Sequence, residues 1–98
     1  MNLNKKNIIV TGANRGIGAE IVKNLHKCGA NVICCSRVEN KKLTDLNLEI
    51  NKSNENKLYN FYFDFSNEDQ ITNVANNICS KFDQIDGLVN NAGINHVS

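Results

Sequence analysis

The chain has 98 residues, so surface-to-volume scaling limits it to one small domain with a moderate core. Its hydrophobic fraction of 41% and charged fraction of 21% are typical of globular proteins and exclude wholesale disorder. The formal net charge is +1 and the basic residues are scattered, whereas phosphate-backbone binding needs clustered Lys and Arg. We therefore expect no nucleic-acid partner.

Targeting signals and cysteine spacing indicate the compartment. No apolar run approaches the roughly 20 residues of a membrane span, and Met1 is followed by polar residues rather than by a signal-peptide core. We expect a cytoplasmic protein without membrane contact. Since no C-x-x-C pair is present and neither histidine completes a zinc pattern, no metal site is expected. The cysteines, interpreted as small apolar residues, are Cys28, Cys34, Cys35 and Cys79.

The first part of the chain alternates short apolar runs with an amphipathic segment. The β-branched run Asn7–Thr11 ends at Gly12, which predicts a buried strand. Residues 17–28 carry an apolar stripe at helical spacing and are followed by Gly29, so they predict a helix with a glycine stop. Residues 31–36 predict a second buried strand.

The same alternation continues in the second part. A weaker helical pattern over 43–50 fades into a polar loop, and the aromatic-rich run 58–64 predicts a third strand. Ser66 opens a Ser-Asn-Glu-Asp sequence that is similar to a capping box, with Asp in place of the usual Glu or Gln. It introduces the clearest apolar stripe of the chain, which predicts a helix over 67–82. Residues 86–90 predict a fourth strand.

Strands that alternate with helices indicate repeated βαβ units and a parallel sheet. With right-handed crossovers the predicted strand order is 3-2-1-4, which is an α/β, Rossmann-type doubly wound sheet. One face would carry two helices and the other only the 67–82 helix, and the fourth strand would have an unpaired outer edge. We interpret residues 1–98 as the N-terminal portion of a single, incomplete Rossmann domain. Ligands of such sheets bind where the strand order reverses, between strands 1 and 4.

Three glycines lie where the first predicted strand meets the first predicted helix, at that reversal. Gly12 would permit the tight turn, Gly16 would let a pyrophosphate approach the backbone, and Gly18 would let the helix pack closely on the strand. Backbone N–H groups and the helix dipole favour a phosphate there. The spacing G-x-x-x-G-x-G lacks the Lys-Ser/Thr pair of a P-loop, which disfavours nucleoside triphosphate hydrolysis. A glycine-rich turn without a ligand stays the alternative.

The end of the second strand distinguishes NAD from NADP in dinucleotide folds. That position is Ser36, followed by Arg37, so no acid would repel a 2′-phosphate and a guanidinium could bind one. Arg15 and Arg37 are the only arginines of the chain. The pattern favours NADP(H), with NAD(H) as the alternative, although either arginine alone is more typical of a solvated surface charge.

Polar residues also follow the third and fourth strands. Asp64 could accept a hydrogen bond from the adenine amino group with Phe65 beside it, or it could merely start the turn before Ser66. Asn-Asn-Ala-Gly over 90–93 could bond neighbouring loops and let a ribose approach. Such a tetrapeptide is weak evidence alone, because turns commonly use Asn and Gly.

Together these motifs resemble those of a known enzyme family. Thr-Gly-x-x-x-Gly-x-Gly over 11–18, Asp64, and Asn-Asn-Ala-Gly over 90–93, in this order and spacing, closely resemble the short-chain dehydrogenase/reductase family across the whole chain. Within it, the two glycine-containing segments look most like 3-oxoacyl-[acyl carrier protein] reductases and related sugar or alcohol dehydrogenases. The resemblance implies an NADP(H)-dependent oxidoreductase that transfers hydride between nicotinamide and a small-molecule carbonyl or alcohol, as a full-length homodimer or homotetramer.

The motifs and the resemblance also imply residue roles. Thr11 would bond the Asn-Asn-Ala-Gly segment. The expected cofactor-binding residues are Gly12, Asn14, Arg15, Gly16, Ile17, Gly18, Ser36, Arg37, Asp64, Phe65, Asn90, Ala92 and Gly93.

No catalytic residue is expected in the chain. The family's Tyr-x-x-x-Lys motif lies downstream of a segment like 90–93, and neither Tyr59 nor Tyr62 is followed by Lys four positions later. We expect the 98 residues to supply cofactor binding only and to be inactive alone. A non-catalytic nucleotide-binding module and a truncated remnant without function are the alternatives.

Overall fold

Seven elements alternate along the chain in a computed structural model, which describes residues 2–13, 16–38, 41–52 and 56–91, apart from the side chains at 42 and 43. The strands are β1 (Asn7–Thr11), β2 (Asn31–Ser36), β3 (Leu58–Tyr62) and β4 (Gly87–Asn90). The helices are α1 (Gly16–Lys27), α2 (Lys41–Ile50) and α3 (Glu68–Lys81). Within these ranges, no helix is both long and apolar enough to cross a membrane.

All neighbouring strands are parallel, and their order is β3-β2-β1-β4. Ile9 of β1 is level with Ile33 of β2 on one side and with Leu88 of β4 on the other. The predicted order 3-2-1-4 and the α/β Rossmann-type class are therefore confirmed. The chain reverses its direction of travel across the sheet between β1 and β4, which brings the ends of these two strands together.

One face of the sheet carries the larger core, because successive side chains of a strand alternate between faces. Val10, Cys34 and Leu58 point to this face, where Val22 of α1 is fully buried among them. Leu46 and Ile50 of α2 pack on the same cluster. Helix α1 ends just before Gly29, as predicted. The φ of Gly29 is +100°, in the left-handed region that glycine adopts readily.

The opposite face has a thinner core, covered by α3. Ile78 packs there against Ile33 and Cys35, with partly buried aromatic side chains around them. Ile71, at the start of the apolar stripe of α3, remains 41% exposed, and Leu88 of β4 remains 64% exposed. The stripe predicted the helix correctly, but only part of it is buried because among the described elements α3 alone covers this face.

The start of α3 differs from the prediction. Asn67, not Ser66, is the N-cap: its backbone is extended, and its side-chain oxygen accepts a hydrogen bond from the N–H of Gln70 at 3.1 Å. The capping box expected at Ser66 was therefore wrong, because the Ser66 hydroxyl donates to Asp64 at 2.7 Å instead. The third strand also ends at Tyr62, two residues before its predicted end.

Asparagine side chains join the amino ends of the strands. The amide of Asn31 donates to the side-chain oxygen of Asn7 at 3.0 Å and accepts from the N–H of Lys57 at 2.9 Å. The N–H of Asn7 in turn donates to the Asp86 carboxylate at 2.8 Å. These bonds tie β4, β1, β2 and the entry to β3 together at the edge opposite the predicted ligand site.

Candidate functional site

The turn that leaves β1 lies at the carboxyl ends of the strands. Gly12 has φ +65°, a left-handed conformation that side chains disfavour. The N–H of Ala13 donates to the carbonyl oxygen of Cys35 at 3.4 Å, so the turn is bonded to the end of β2. Helix α1 begins at Gly16. Asn14 and Arg15, both expected to bind the cofactor, lie outside the described residues.

The glycines at the start of α1 have different surroundings. A Cβ on Gly18 would lie 2.2 Å from the carbonyl oxygen of Gly12 and 2.7 Å from the amide nitrogen of Asn91, so only glycine lets α1 approach β1 this closely. Among the described residues, a Cβ on Gly16 would have no atom within 4 Å apart from its chain neighbours and its own helix backbone. Packing therefore requires glycine at 18, whereas at 16 the missing side chain leaves open space beside the helix N-terminus.

The N-terminus of α1 suits an anion. Ile17, in the first turn, is 68% exposed, which leaves a large apolar side chain next to the open space. The first turn contains no acidic residue, so no carboxylate offsets the positive end of the helix dipole there. A phosphate group would meet unneutralised backbone N–H groups at this point.

Side-chain bonds join the ends of β1 and β4. The Thr11 hydroxyl donates to the side-chain oxygen of Asn90 at 3.0 Å, and the Val89 carbonyl oxygen lies 3.4 Å from the same hydroxyl. The predicted bond from Thr11 to the Asn-Asn-Ala-Gly segment is thus confirmed. Asn90 itself is exposed at the site edge. Ala92 and Gly93 lie outside the described residues.

Asn91 supports the glycine-rich turn and was not among the predicted site residues. It is 3% exposed, and its amide donates to the carbonyl oxygen of Gly12 at 3.3 Å. The doubled Asn at the end of β4 was visible in the sequence, but not which of the two is buried. Because successive side chains alternate between faces, Asn90 is exposed and Asn91 is buried. The buried amide of Asn91 therefore supports the turn: it is bonded to Gly12 and lies next to Gly18.

The end of β2 places Ser36 and Arg37 differently. Ser36 is 1% exposed, its hydroxyl lies 3.5 Å from the Val38 carbonyl oxygen that accepts its hydrogen bond, and its own carbonyl accepts from the N–H of Phe63 at 3.0 Å. Arg37 is exposed directly after it. The site thus offers a guanidinium at this position, while the serine hydroxyl is bonded within its own turn.

The segment after β3 presents an ordered carboxylate. Oδ1 of Asp64 accepts hydrogen bonds from the hydroxyl of Ser66 at 2.7 Å and from its N–H at 2.9 Å. These two bonds, in that order, lower the pKa of Asp64, and the positive charge of Arg37 adds a smaller lowering. The ring centres of Phe65 and Phe63 lie 4.7 Å apart, and this contact holds Phe65 in place beside Asp64.

The predicted site residues that the structure describes therefore form two groups at the carboxyl ends of the strands. One surrounds the glycine-rich turn between β1 and β4, and the other lies at the ends of β2 and β3. Tyr59 belongs to neither, since it packs edge-on against Phe82 at 4.9 Å with the Lys81 ammonium 5.2 Å from its ring centre. Among the described residues, no three His, Cys, Asp or Glu side chains are grouped so that they could hold a metal ion.

The parallel sheet of order 3-2-1-4, with a glycine-rich turn at the point where the order reverses, defines an incomplete Rossmann-type fold of the nucleotide-binding class. The sequence matches the family model of the short chain dehydrogenases over residues 6–98. The chain thus belongs to the short-chain dehydrogenase/reductase family, as its motifs indicate.

Two curated relatives illustrate the similarity. The chain is 40% identical to the 3-oxoacyl-[acyl-carrier-protein] reductase FabG of Buchnera aphidicola subsp. Acyrthosiphon pisum over 94 residues, which is 96% of this chain and 36% of the relative. It is also 40% identical to the (+)-neomenthol dehydrogenase of Arabidopsis thaliana over 89 residues, covering 88% and 30% of the two chains. The chain thus spans about a third of the length of these relatives.

Solved structures show the same fold. A short-chain dehydrogenase/reductase from Serratia marcescens superposes with a TM-score of 0.77 at 27% identity, covering 93% of this chain and 37% of that one. The L-sorbose reductase from Gluconobacter frateurii, solved with NADPH and L-sorbose, has a TM-score of 0.77 at 23% identity and coverages of 92% and 34%. The second likeness concerns the fold alone.

Proposed function

We propose that this chain supplies cofactor binding to an NADP(H)-dependent oxidoreductase that transfers hydride between nicotinamide and a carbonyl or alcohol carbon. Reduction of a 3-oxoacyl group is the favoured form of this reaction, on the similarity to 3-oxoacyl-[acyl-carrier-protein] reductases over 96% of the chain. In this proposal residues 1–98 are the N-terminal portion of a single NAD(P)-binding domain of a cytoplasmic homodimer or homotetramer.

The observation that carries the proposal is the open space at Gly16. Among the described residues, a Cβ there would meet no atom within 4 Å apart from its chain neighbours and its own helix backbone, so the packing of this part of the chain does not explain the glycine. A ligand that approaches the backbone does explain it, and the adjoining helix N-terminus without acidic residues favours a phosphate. The surroundings of Gly16 therefore fit a pyrophosphate.

The remaining roles are proposed from the resemblance to the family. Gly12, Asn14, Arg15 and Ile17 would contact the phosphates and the adenosine ribose, with Gly18 keeping the helix close. Asp64 and Phe65 would flank adenine. Asn90, Ala92 and Gly93 would line the ribose and the approach to nicotinamide, whose ring gives or takes the hydride when the cofactor is bound.

The preference for NADP(H) rests on the end of β2. Arg37 is exposed there, and residues 31–38 contain no acid that would bond a ribose 2′-OH or repel a 2′-phosphate. The Ser36 hydroxyl is bonded to the Val38 carbonyl, so we give the guanidinium the main part in 2′-phosphate binding.

A second candidate function is nucleotide binding without catalysis. Neither tyrosine in residues 1–98 is followed by Lys four positions later, and Tyr59 is packed against Phe82 and Lys81. We therefore propose that the 98-residue chain alone binds cofactor and does not turn over substrate. On incubation with NADPH and a 3-oxoacyl thioester, the nucleotide absorbance should decrease no faster than it does without protein. Steady oxidation of NADPH above that rate would overturn this proposal.

Titration with NADPH and with NADH tests the cofactor proposal. Binding can be followed by the fluorescence of the reduced nicotinamide, which both nucleotides carry. NADPH should bind more tightly than NADH, and Arg37→Gln should weaken NADPH about tenfold or more while leaving NADH unchanged, because a charge-assisted contact is lost. Lys52→Gln removes an exposed charge after α2 and serves as the control. Equal or tighter binding of NADH by the unaltered chain would refute the preference.

A further inference from the structure

The segment after β3 contains more hydrogen bonds than its turn and helix start require. Helix α3 already has a complete N-cap, because the side chain of Asn67 accepts from the N–H of Gln70. Ser66 is therefore not needed for capping, yet both its hydroxyl and its N–H donate to the same oxygen of Asp64. These two bonds fix the orientation of the carboxylate.

Gln70 bonds the backbone of Asp64, whereas Ser66 bonds its side chain. Its side-chain oxygen accepts the backbone N–H of Asp64 at 2.8 Å, while its own backbone N–H is bonded to the Asn67 cap. The side chain of Gln70 thus links the first turn of α3 to the backbone of Asp64. Helix α3 packs on the sheet through Ile78. The bond to Gln70 therefore holds the backbone of Asp64 at a fixed place relative to the sheet.

We infer that Ser66 and Gln70 are positioning residues that preset Asp64 as the acceptor for the exocyclic amine of an adenine nucleotide. The inference rests on the proposed function and deepens it. A carboxylate that is already oriented loses little conformational freedom when the amine binds, which increases affinity and selectivity for the amino group. With both Ser66 donors on Oδ1, the carboxylate can still accept from a ligand, since an ionised carboxylate has about four acceptor positions.

Selectivity for the amine gives a readout that a purely structural role would not change. NADPH and its purine analogue differ in one group: the analogue carries a hydrogen at the ring carbon where adenine carries the amino group, and its N1 remains an acceptor. The unaltered chain should bind NADPH more tightly than the analogue, because the analogue has no exocyclic donor for the Asp64 carboxylate. The ratio of the two dissociation constants therefore measures the contact at Asp64.

The experiment measures this ratio in Ser66→Ala, Ser66→Thr and Gln70→Ala by fluorescence titration. Ser66→Ala should weaken NADPH about fivefold, leave the analogue nearly unchanged and so reduce the ratio by the same factor. Ser66→Thr keeps the hydroxyl and should restore the ratio, and Gln70→Ala should lower it independently. Ser80→Ala is the matched control, since Ser80 is an exposed serine near the end of α3 whose hydroxyl donates to the Asn76 carbonyl.

The possible outcomes distinguish the positioning role of Ser66 and Gln70 from the proposed cofactor binding. If the unaltered chain binds NADPH and the ratio stays the same in Ser66→Ala and Gln70→Ala, the positioning role is refuted while cofactor binding stands. If the unaltered chain binds NADPH without preferring it over the analogue, the adenine contact of Asp64 is refuted as well. If it binds neither nucleotide, the proposed function itself fails.

Discussion

Replacing Gly18 with Ala should destabilise the protein by distorting the joint between α1 and β1. The added Cβ would lie 2.2 Å from the Gly12 carbonyl oxygen, and it would lie 2.7 Å from the Asn91 amide. Neither neighbour is the free end of a flexible side chain: one is backbone, and Asn91 is 3% exposed. Helix α1 must therefore move away from the strand, or Asn91 must leave the Gly12 carbonyl to which it is bonded.

The size of the effect follows from three contributions. Overpacking a tight contact costs about 1–3 kcal/mol. Losing the buried bond between Asn91 and Gly12 costs about 1–3 kcal/mol more, because a buried amide is left without its partner. The better helix propensity of Ala returns about 1 kcal/mol. We expect a net loss of about 1–5 kcal/mol in the free energy of unfolding, which is large for a small domain.

Urea unfolding followed by far-ultraviolet circular dichroism measures this loss. With a slope of about 2 kcal/mol per M, a decrease of about 1–5 kcal/mol should lower the midpoint by about 0.5–2.5 M urea. Gly16→Ala is the matched control two residues earlier, because its Cβ would meet no neighbouring atom of the described part of the chain within 4 Å. That variant should keep the unfolding midpoint and instead weaken NADPH binding, since the methyl group occupies the proposed phosphate space. A Gly18→Ala variant as stable as the unaltered protein would refute this reasoning.

Three further predictions concern stability. Leu58→Ala should lower the free energy of unfolding by about 2–5 kcal/mol, because Leu58 is 1% exposed in the larger core, and an unchanged urea midpoint would contradict that packing. Burial raises the pKa of Cys34 to about 12, with a smaller contribution from Cys35, and burial raises the pKa of Cys35 to about 11. The unfolded chain therefore releases these protons first, above about pH 8.5, so thermal melts should show stability falling as pH rises from there toward 12, and Cys34→Ala should reduce that fall. The lowered pKa of Asp64, caused first by the Ser66 hydroxyl bond, means that its stabilising contribution is present above the unfolded value of about 3.9 and is lost as pH falls through the lower folded value. Asp64→Asn should flatten the acid side of the curve of unfolding free energy against pH, and an unaltered curve would count against the Ser66 bonds.

Local sequence patterns predicted most of the fold. The bounds of β1 and β2 agree with the expected runs Asn7–Thr11 and Asn31–Ser36, because β-branched residues closed by a glycine or a polar residue leave little choice of ends. The strand order was predicted from right-handed crossovers between parallel strands. Gly18 was also assigned its packing role from its position in the turn, and its surroundings agree with that role.

The features that were missed depend on contacts between distant parts of the chain or on competition between neighbours. Ser66 and Asn67 are equally good N-caps by residue type, and the choice fell to Asn67 because Asp64 takes the Ser66 hydroxyl. The support that Asn91 gives to Gly12 exists only because β4 pairs beside β1, which brings together residues 79 apart. The exposure of Ile71 could not be inferred from spacing, since periodicity gives the face of a helix and not how far that face is covered.

The bond between Asn91 and Gly12 has a consequence for how the protein is made. The carbonyl it stabilises is synthesised 79 residues before the amide that binds it. At roughly 5–20 residues per second, a ribosome needs on the order of 4–16 s to deliver the partner. During that interval β1 and α1 can form, but the turn between them lacks its support. The nascent chain should therefore acquire affinity for a dinucleotide late and abruptly, when β4 inserts beside β1, and ligand could act as a cotranslational stabiliser only from that moment.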